Sequence, residues 1–485
     1  MNLRRLIWLI VIQFCPLVSS GQNFPLDRIF YLNQPFLNQQ QNHPYLLQKD
    51  QPAFYQGGLG YTSREGVRNQ PFDSQHTKQA YFHSESVMSL GNWMLSGNFR
   101  YIKTLKSLRP YLLQSPFWNE IPYKLLDLDT QPWSGDEVSF KVSLSSPLYG
   151  RKKQWQTFGN LGYDVGSNNR NAEPRPLAIN NHYRIKLGQS YNLTAQFSIG
   201  AGFQVLAAQE ENQIGSFAVQ DVKLYLGRGW GTFSKNTYPR FERSQSMKSQ
   251  EGFLFLKLDK DHLIAFTEFT LTIGTYSARD GIAFPVDGGS VRIDGVSWSG
   301  GIDLRFEDSG GIQSLVTVDS EKTSGSDPIF KAVNVAGNTL RVAWTNVAEL
   351  GTQQDWQVEW DFQYQHRFSE DLAAREESTI TEFSGKLSGI KRFKIGTSSL
   401  YLNPSVLASI ASSDIAYQQN NEISSLLLGA QQDFYSRPLI EPGLGVKFLV
   451  PLSQGNTLML GSGYSHRLSN DFPLSEFSLV TQLIL

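Results

Sequence analysis

The chain has 485 residues, of which 40% are hydrophobic, 18% charged and 13% aromatic, with 41 Gly, seven His and a single Cys. A formal net charge of −1 at pH 7 lacks the basic footprint that nucleic-acid binding needs, and the composition is not that of a disordered chain. Charge below the roughly 25% typical of soluble domains, with many aromatics and glycines, suits strands that face lipid on one side and water on the other.

Taken in order, the chain opens with Arg4 and Arg5, the apolar run Leu6 to Val18 and the small residues Ser19, Ser20 and Gly21. This is the pattern of a secretory signal peptide, assigned to residues 1–21, and it is too short to span a membrane. Cys15 follows Phe14, where a lipidation site would need a small residue, so it is read as an ordinary member of the apolar run. Cleavage leaves 41 basic and 44 acidic residues, a net charge of −3, and no cysteine, which excludes disulfide and thiolate chemistry. No later segment has the ~20 consecutive apolar residues of a helical span. Residence in a membrane therefore requires a barrel.

Residues 22–52 are rich in Gln, Asn, Pro and aromatics, with Asn38-Gln39-Gln40-Gln41-Asn42 near the middle, and lack periodicity. They are expected to form a short N-terminal arm in the periplasm or the lumen. Strand patterns recur through 53–485. Trp93, Leu95, Gly97, Phe99 and Tyr101 oppose Ser96, Asn98 and Arg100; Trp155, Thr157, Gly159, Leu161 and Tyr163 oppose Gln154, Gln156, Asn160 and Asp164; and Phe197, Ile199, Ala201, Phe203 and Val205 oppose Gln196, Ser198, Gly200, Gly202 and Gln204. Aromatics at the ends of an apolar face are placed as interfacial girdles. Connections alternate from long (62–77, 106–135, 167–180) to short (Gly91-Asn92, 149–152, 189–192), as outer-membrane barrels require. The last stretch, Phe477 to Leu485, is an amphipathic strand whose edge is hidden only if it pairs with the first. The expected fold is an all-β transmembrane antiparallel barrel with an even strand number near 18, within roughly 14 to 20. A soluble propeller would show a fixed repeat period, and none is present.

The signal peptide, the strand series and the run from Gly166-Ser167-Asn168-Asn169-Arg170 through Glu173-Pro174-Arg175-Pro176-Leu177 to Asn180-Asn181-His182-Tyr183 resemble a family of outer-membrane β-barrels from Bacteroidota. The resemblance implies location in the cell outer membrane and company with nutrient-uptake systems. It brings no catalytic residues. Implied partners are outer-membrane lipid, the barrel-insertion machinery, and an uptake receptor or surface lipoprotein.

Among chemical constellations, the seven His show no metal-ligand spacing, so neither a metal nor any other cofactor is expected. Ser462, Ser465 and His466 suggest a barrel-wall hydrolase, but Gly463-Tyr464-Ser465-His466-Arg467 lacks the nucleophile elbow. Gly227-Arg228-Gly229-Trp230-Gly231 opens no helix and has no Lys-Ser/Thr, so it reads as a turn rather than a phosphate loop. Lys235, Arg240, Arg243 and Lys248 make 234–250 locally basic, read as a solvated loop with an alternative role in meeting anions. The long Pro- and aromatic-rich segment carrying Tyr111, Phe117, Trp118, Tyr123 and Trp133 is expected to pack, folding over the mouth as a constriction or offering flat rings to a ligand. The expectation is a non-enzymatic barrel that admits small solutes or assists a nutrient-uptake complex, with a Ser/His hydrolase and a closed scaffold or adhesion barrel as rivals. Deleting either the arm or the aromatic loop is expected to raise conductance.

Overall fold

The computed structural model describes residues 43–47 and 53–484 apart from short connecting segments at 67–73, 110–111, 119–120, 128–129, 173–174, 216–221, 231–232, 239, 282–283, 307–309, 328, 330, 351–354, 418–422, 424, 453–455 and 469–473. The stretch expected to be a signal peptide, most of the expected N-terminal arm and Tyr111 lie outside the described residues.

Alternation of apolar and polar side chains forms the long strands of the wall, and three shorter strands lie apart from it. The first eight are β1 (Phe54–Glu65), β2 (His76–Leu90), β3 (Trp93–Arg109), β4 (Leu125–Leu126), β5 (Gln131–Ser145), β6 (Trp155–Asn169), β7 (Arg175–Asn192) and β8 (Phe197–Gly215). Next come β9 (Val222–Gly227), β10 (Phe233–Tyr238), β11 (Arg240–Lys260), β12 (Leu263–Asp280), β13 (Val286–Phe306), β14 (Gly310–Ser326) and β15 (Val333–Leu350). The chain finishes with β16 (Trp356–Asp371), β17 (Glu376–Ile395), β18 (Ser398–Ala416), β19 (Leu439–Pro451), β20 (Thr457–Arg467) and β21 (Leu474–Ile484). Strands β10, β9 and β4 make a separate three-stranded sheet, and the other strands form one 18-stranded antiparallel sheet.

That sheet closes on itself. Strand β21 pairs with both β20 and β1, with Leu479 opposite Tyr61 and Thr481 opposite Leu59, so the amphipathic last strand has no free edge. Connections at the end where β1 begins are two to five residues long apart from 146–154. In the two-residue turns after β2 and β17, Gly91 and Gly396 hold φ of +61° and +62°, a left-handed conformation that such turns require and L side chains resist. The opposite rim carries the connections 66–75, 110–130, 216–239 and 417–438, which sets it as the extracellular end.

Outward positions form a hydrocarbon-facing belt, with Leu254, Leu271, Ile273, Phe383 and Ile410 all more than half exposed. Trp93, Trp155 and Trp356 begin their strands at the short-turn end, each 42–49% exposed, and form an interfacial girdle. Trp298 and Trp344 face outward higher up, and their indole N–H groups donate across the strands to Thr267 Oγ1 at 2.8 Å and Ser314 Oγ at 3.0 Å. Without water nearby, a donor must find its partner in the protein. No helix among the described residues is long and apolar enough to cross a membrane. The closed sheet with an apolar belt crosses it with strands, and the protein resides in the outer membrane.

Two segments differ from the sequence expectation. Residues 167–180, read as a long connection, mostly continue β6 and β7, leaving only 170–174 between them. Ser167, Asn168 and Asn169 still pair with Ile179, Ala178 and Leu177, because strands that rise beyond the lipid can be polar on both faces. Residues 240–250, read within a solvated loop, are part of β11. Their odd-numbered side chains point into the barrel.

Candidate functional site

The barrel interior is obstructed at two heights by segments that are not part of its wall. Nearer the periplasmic end, His43, Tyr45, Leu46 and Leu47 are buried inside the barrel. Tyr45 fills a cage of inward-facing Phe158 on β6, Phe253 and Phe255 on β11, and Phe266 on β12. Its ring stacks on Phe255 at 3.7 Å with 6° between planes. The edges of Phe158 and Phe266 meet it at 5.5 Å and 6.3 Å. Leu47 packs at the other end against Val87 of β2 and Met94 of β3, so the segment bridges the lumen from β3 to β12.

A simple sequence device lays the cage rings against the wall. Phe158, Phe253, Phe255 and Phe266 stand directly opposite Gly188, Gly202, Gly200 and Gly301 on neighbouring strands. A Cβ at each glycine would fall 2.3–2.5 Å from the facing ring, inside any tolerable contact. Hydrogen at these positions leaves room for a flat aromatic surface.

Beside the cage sits a buried ionic pair. Lys186 Nζ on β7 donates to both oxygens of Glu268 on β12 at 3.0 Å and 3.1 Å and lies 4.1 Å from the centre of the Phe253 ring. His43 Nδ1 is 3.1 Å from Glu268 and 3.2 Å from the Tyr45 hydroxyl. Burial holds the His43 imidazole below its usual range despite the neighbouring carboxylate, and burial raises the Tyr45 phenol.

The outer obstruction is the aromatic loop. Trp118 and Tyr123 are fully buried against Tyr276 and Ala278 of β12 and Val291 and Ile293 of β13. The Tyr123 hydroxyl donates to the carbonyls of Ser290 and Ser326 at 3.2 Å and 2.8 Å, and burial pushes the phenol well above its usual range. Trp133 belongs to a neighbouring cluster with Leu113, Leu125 and Phe241. Phe117 is 41% exposed and meets the His182 ring at 4.1 Å. The rings therefore anchor the loop, and among the described ones only Phe117 offers a face.

Two inward-facing polar groups hold this loop down. Arg243 of β11, 1% exposed, donates to Asp280 through Nε at 2.6 Å and Nη2 at 2.8 Å, and to the Tyr123 carbonyl at 2.9 Å. Glu210 of β8 accepts from the Ser115 backbone N–H at 3.1–3.2 Å, from Asn212 at 2.7 Å and from Gln245 at 2.8 Å. Arg243, expected in a solvated basic run, is thus brought to the aromatic loop. Lys235 is exposed and lies over the Tyr225 ring at 5.6 Å, on the strand next but one to Leu126 of the loop, whereas Arg240 and Lys248 are exposed and face outward.

Further loops complete the lid. Leu112 and Leu126 join Tyr225 of β9 and Ile423 and Leu427 of the 417–438 connection in one cluster. Beyond it, Phe434 and Tyr435 of the short helix Ala430–Tyr435 pack on Ile380 and Ile415 of β17 and β18. In the turn between β9 and β10, Arg228 donates to Asp327 at 2.6 Å and its carbonyl accepts from Asn334 at 2.7 Å. The lid therefore reaches from β8 and β11–β13 across to β17–β18.

Phe266 and Tyr276 mark the two obstructions on one strand, ten residues apart. At ~3.3 Å per residue this is about 33 Å along the strand, or roughly 25 Å along the barrel axis for the usual tilt. Between them the wall presents Thr270, Thr272, Glu251, Gln204 and Arg184.

The hydrolase candidates do not assemble. Ser465 points inward and donates to Glu441 at 2.8 Å, whereas His466 points outward and meets Ser475 at 2.9 Å. Adjacent residues on a strand face opposite sides, so the two cannot form a dyad. The His466–Ser475 contact is matched by His366–Thr381 at 3.0 Å, a recurrent cross-strand pairing.

Comparison with solved structures returns matches over most of the chain at low identity. The RagAB peptide importer in its closed-closed state has 6% identity and a TM-score of 0.41, covering 90% of this chain and 87% of that one. The ferric yersiniabactin uptake receptor FyuA from Yersinia pestis has 8% identity and a TM-score of 0.39, covering 90% and 81%. The outer membrane transporter YddB from Escherichia coli has 8% identity and a TM-score of 0.38, covering 89% and 81%. No curated protein sequence matches the chain. A family profile matches residues 44–480, from the docked arm segment into the closing strand, and the chain belongs to this family of unknown function, DUF6850.

Proposed function

We propose that the protein is a gated passage for small solutes across the outer membrane, closed at rest by the lid from outside and by the arm from within. The observation that carries this reading is that both obstructions are built from segments outside the barrel wall. They are separated by roughly 25 Å of polar lumen along the axis. A barrel serving only as a scaffold has no use for a polar wall between two detachable closures. An uptake receptor or surface lipoprotein, the partner implied by the family resemblance, would act on the lid from the extracellular side.

Because the closures lie in series, opening one leaves the other in place. Planar-bilayer conductance should stay low for the intact protein, for a variant lacking residues 22–52, and for one whose lid segments 112–127, 222–238 and 418–436 are each replaced by a short Gly-Ser linker. Only the combined variant should conduct strongly. This replaces the simpler expectation that either deletion suffices. A combined variant that inserts and remains closed would sink the passage reading in favour of a scaffold.

A further inference from the structure

The lumen of an 18-stranded barrel needs polar side chains, yet Phe158, Phe253, Phe255 and Phe266 cluster on its inner face, and each lies over a glycine. Such a surface exposed to water would be unfavourable if nothing covered it. In this structure it is covered by a tyrosine from the chain itself, with a proline before it and two leucines after it. The side chain seated there shows what chemistry fits: a flat ring stacked on Phe255 and flanked edgewise by Phe158 and Phe266, with its hydroxyl end directed at His43 and the adjoining Glu268–Lys186 pair.

Magnitudes indicate that the seat is exchangeable. Burial of Tyr45, Leu46 and Leu47, each at most 3% exposed, favours docking. Ordering the backbone of residues 43–47 opposes it with a cost of the same order. The two terms oppose each other, and the seated ring is an occupant attached to the chain itself, against which a free ligand of the same chemistry competes.

We propose that the cage is a luminal binding site for solutes bearing a phenol ring, tyrosine-containing peptides among them, and that the arm is its resident competitor. This rests on the passage reading only in requiring that the arm can leave. A phenol-bearing solute entering the lumen would stack on Phe255, place its hydroxyl toward Glu268 and Lys186, and displace Tyr45. Release of the arm would then be coupled to the presence of cargo. Simple aromatic hydrocarbons would fit the rings but leave the polar end unmatched.

The test uses the full chain. Binding of p-cresol, of toluene and of the peptide acetyl-His-Pro-Tyr-Leu-Leu-amide is measured by calorimetry on wild type, on Tyr45→Gly, and on a variant with 43–47 replaced by Gly and Ser. The site predicts p-cresol binding to Tyr45→Gly at least tenfold tighter than to wild type and tighter than toluene. It also predicts peptide binding to the 43–47 variant that falls at least tenfold when Phe255→Ala is added. Absence of both ligands from variants that keep the thermal transition of the folded barrel overturns the proposal, as does binding indifferent to Phe255→Ala. A 43–47 variant that binds the peptide, while the combined arm and lid variant stays non-conducting, would overturn passage and leave the site standing.

Discussion

Arg243→Ala tests whether the aromatic loop is a lid held by a few contacts. The guanidinium is 1% exposed and makes two hydrogen bonds to Asp280 and one to the Tyr123 carbonyl. Truncation strips Asp280, 8% exposed, of its partner. Breaking a buried ion pair from one side costs about 3–5 kcal/mol. All of that loss falls on the closed state, because an open loop would let water reach Asp280. The closed-to-open ratio should therefore drop by roughly two to three and a half powers of ten, at 1.4 kcal/mol per decade. Proteinase K added to whole cells should then cleave within 110–130 much faster than in wild type, while the barrel keeps its thermal transition. Arg240→Ala is the internal control: that side chain is 63% exposed and its 2.8 Å partner Glu242 is 27% exposed, so the change should be within about 0.5 kcal/mol. Equal protection of the loop in wild type and Arg243→Ala would refute the pinning argument.

The belt predicts that Leu254→Arg, at an outward position 62% exposed, costs about 2–4 kcal/mol near the bilayer midplane and lowers the heat-modifiable, folded fraction in outer membranes. Ser244→Arg, on the same outward face but beyond the lipid, should be tolerated, as native Lys248 between them already indicates. Docking of the arm should depend on pH through His43, whose imidazole is held low by burial among Glu268, Lys186 and Lys141. A histidine with a lowered folded value contributes fully above its unfolded value of about 6.5 and loses that contribution as pH falls below it. The thermal midpoint should accordingly decline between pH 7.5 and 5, and His43→Gln should flatten that part of the decline; identical profiles would exclude His43 as the cause.

The wall is legible in the sequence because lipid imposes a period of two on every strand that crosses it. Trp93 to Tyr101, Trp155 to Tyr163 and Phe197 to Val205 carry that period in plain view, and their outward faces are those expected. Legibility fades where the lipid ends. Ser167 to Asn169 are polar on both faces and read as loop, although backbone pairing continues through them. The basic run misleads for the same reason. Once 240–260 is taken as one strand, parity alone separates Arg243, inward with Gln245 and Phe253, from Arg240 and Lys248, outward with Leu254. The lumen is a further step removed, since Tyr45 and Phe255, or Arg243 and the Tyr123 carbonyl, are far apart in the chain and no local pattern links them. One signal is present nonetheless. Phe158 sits between Gln156 and Asn160 on the polar face of its strand, and Phe266 shares a face with Glu268. A large ring on the water side of a barrel strand needs something to cover it, and each of these faces a glycine across the sheet. Aromatic and glycine paired on the polar parity therefore mark a luminal surface built to be occupied, and the same pairing can be sought in the sequences of other barrels.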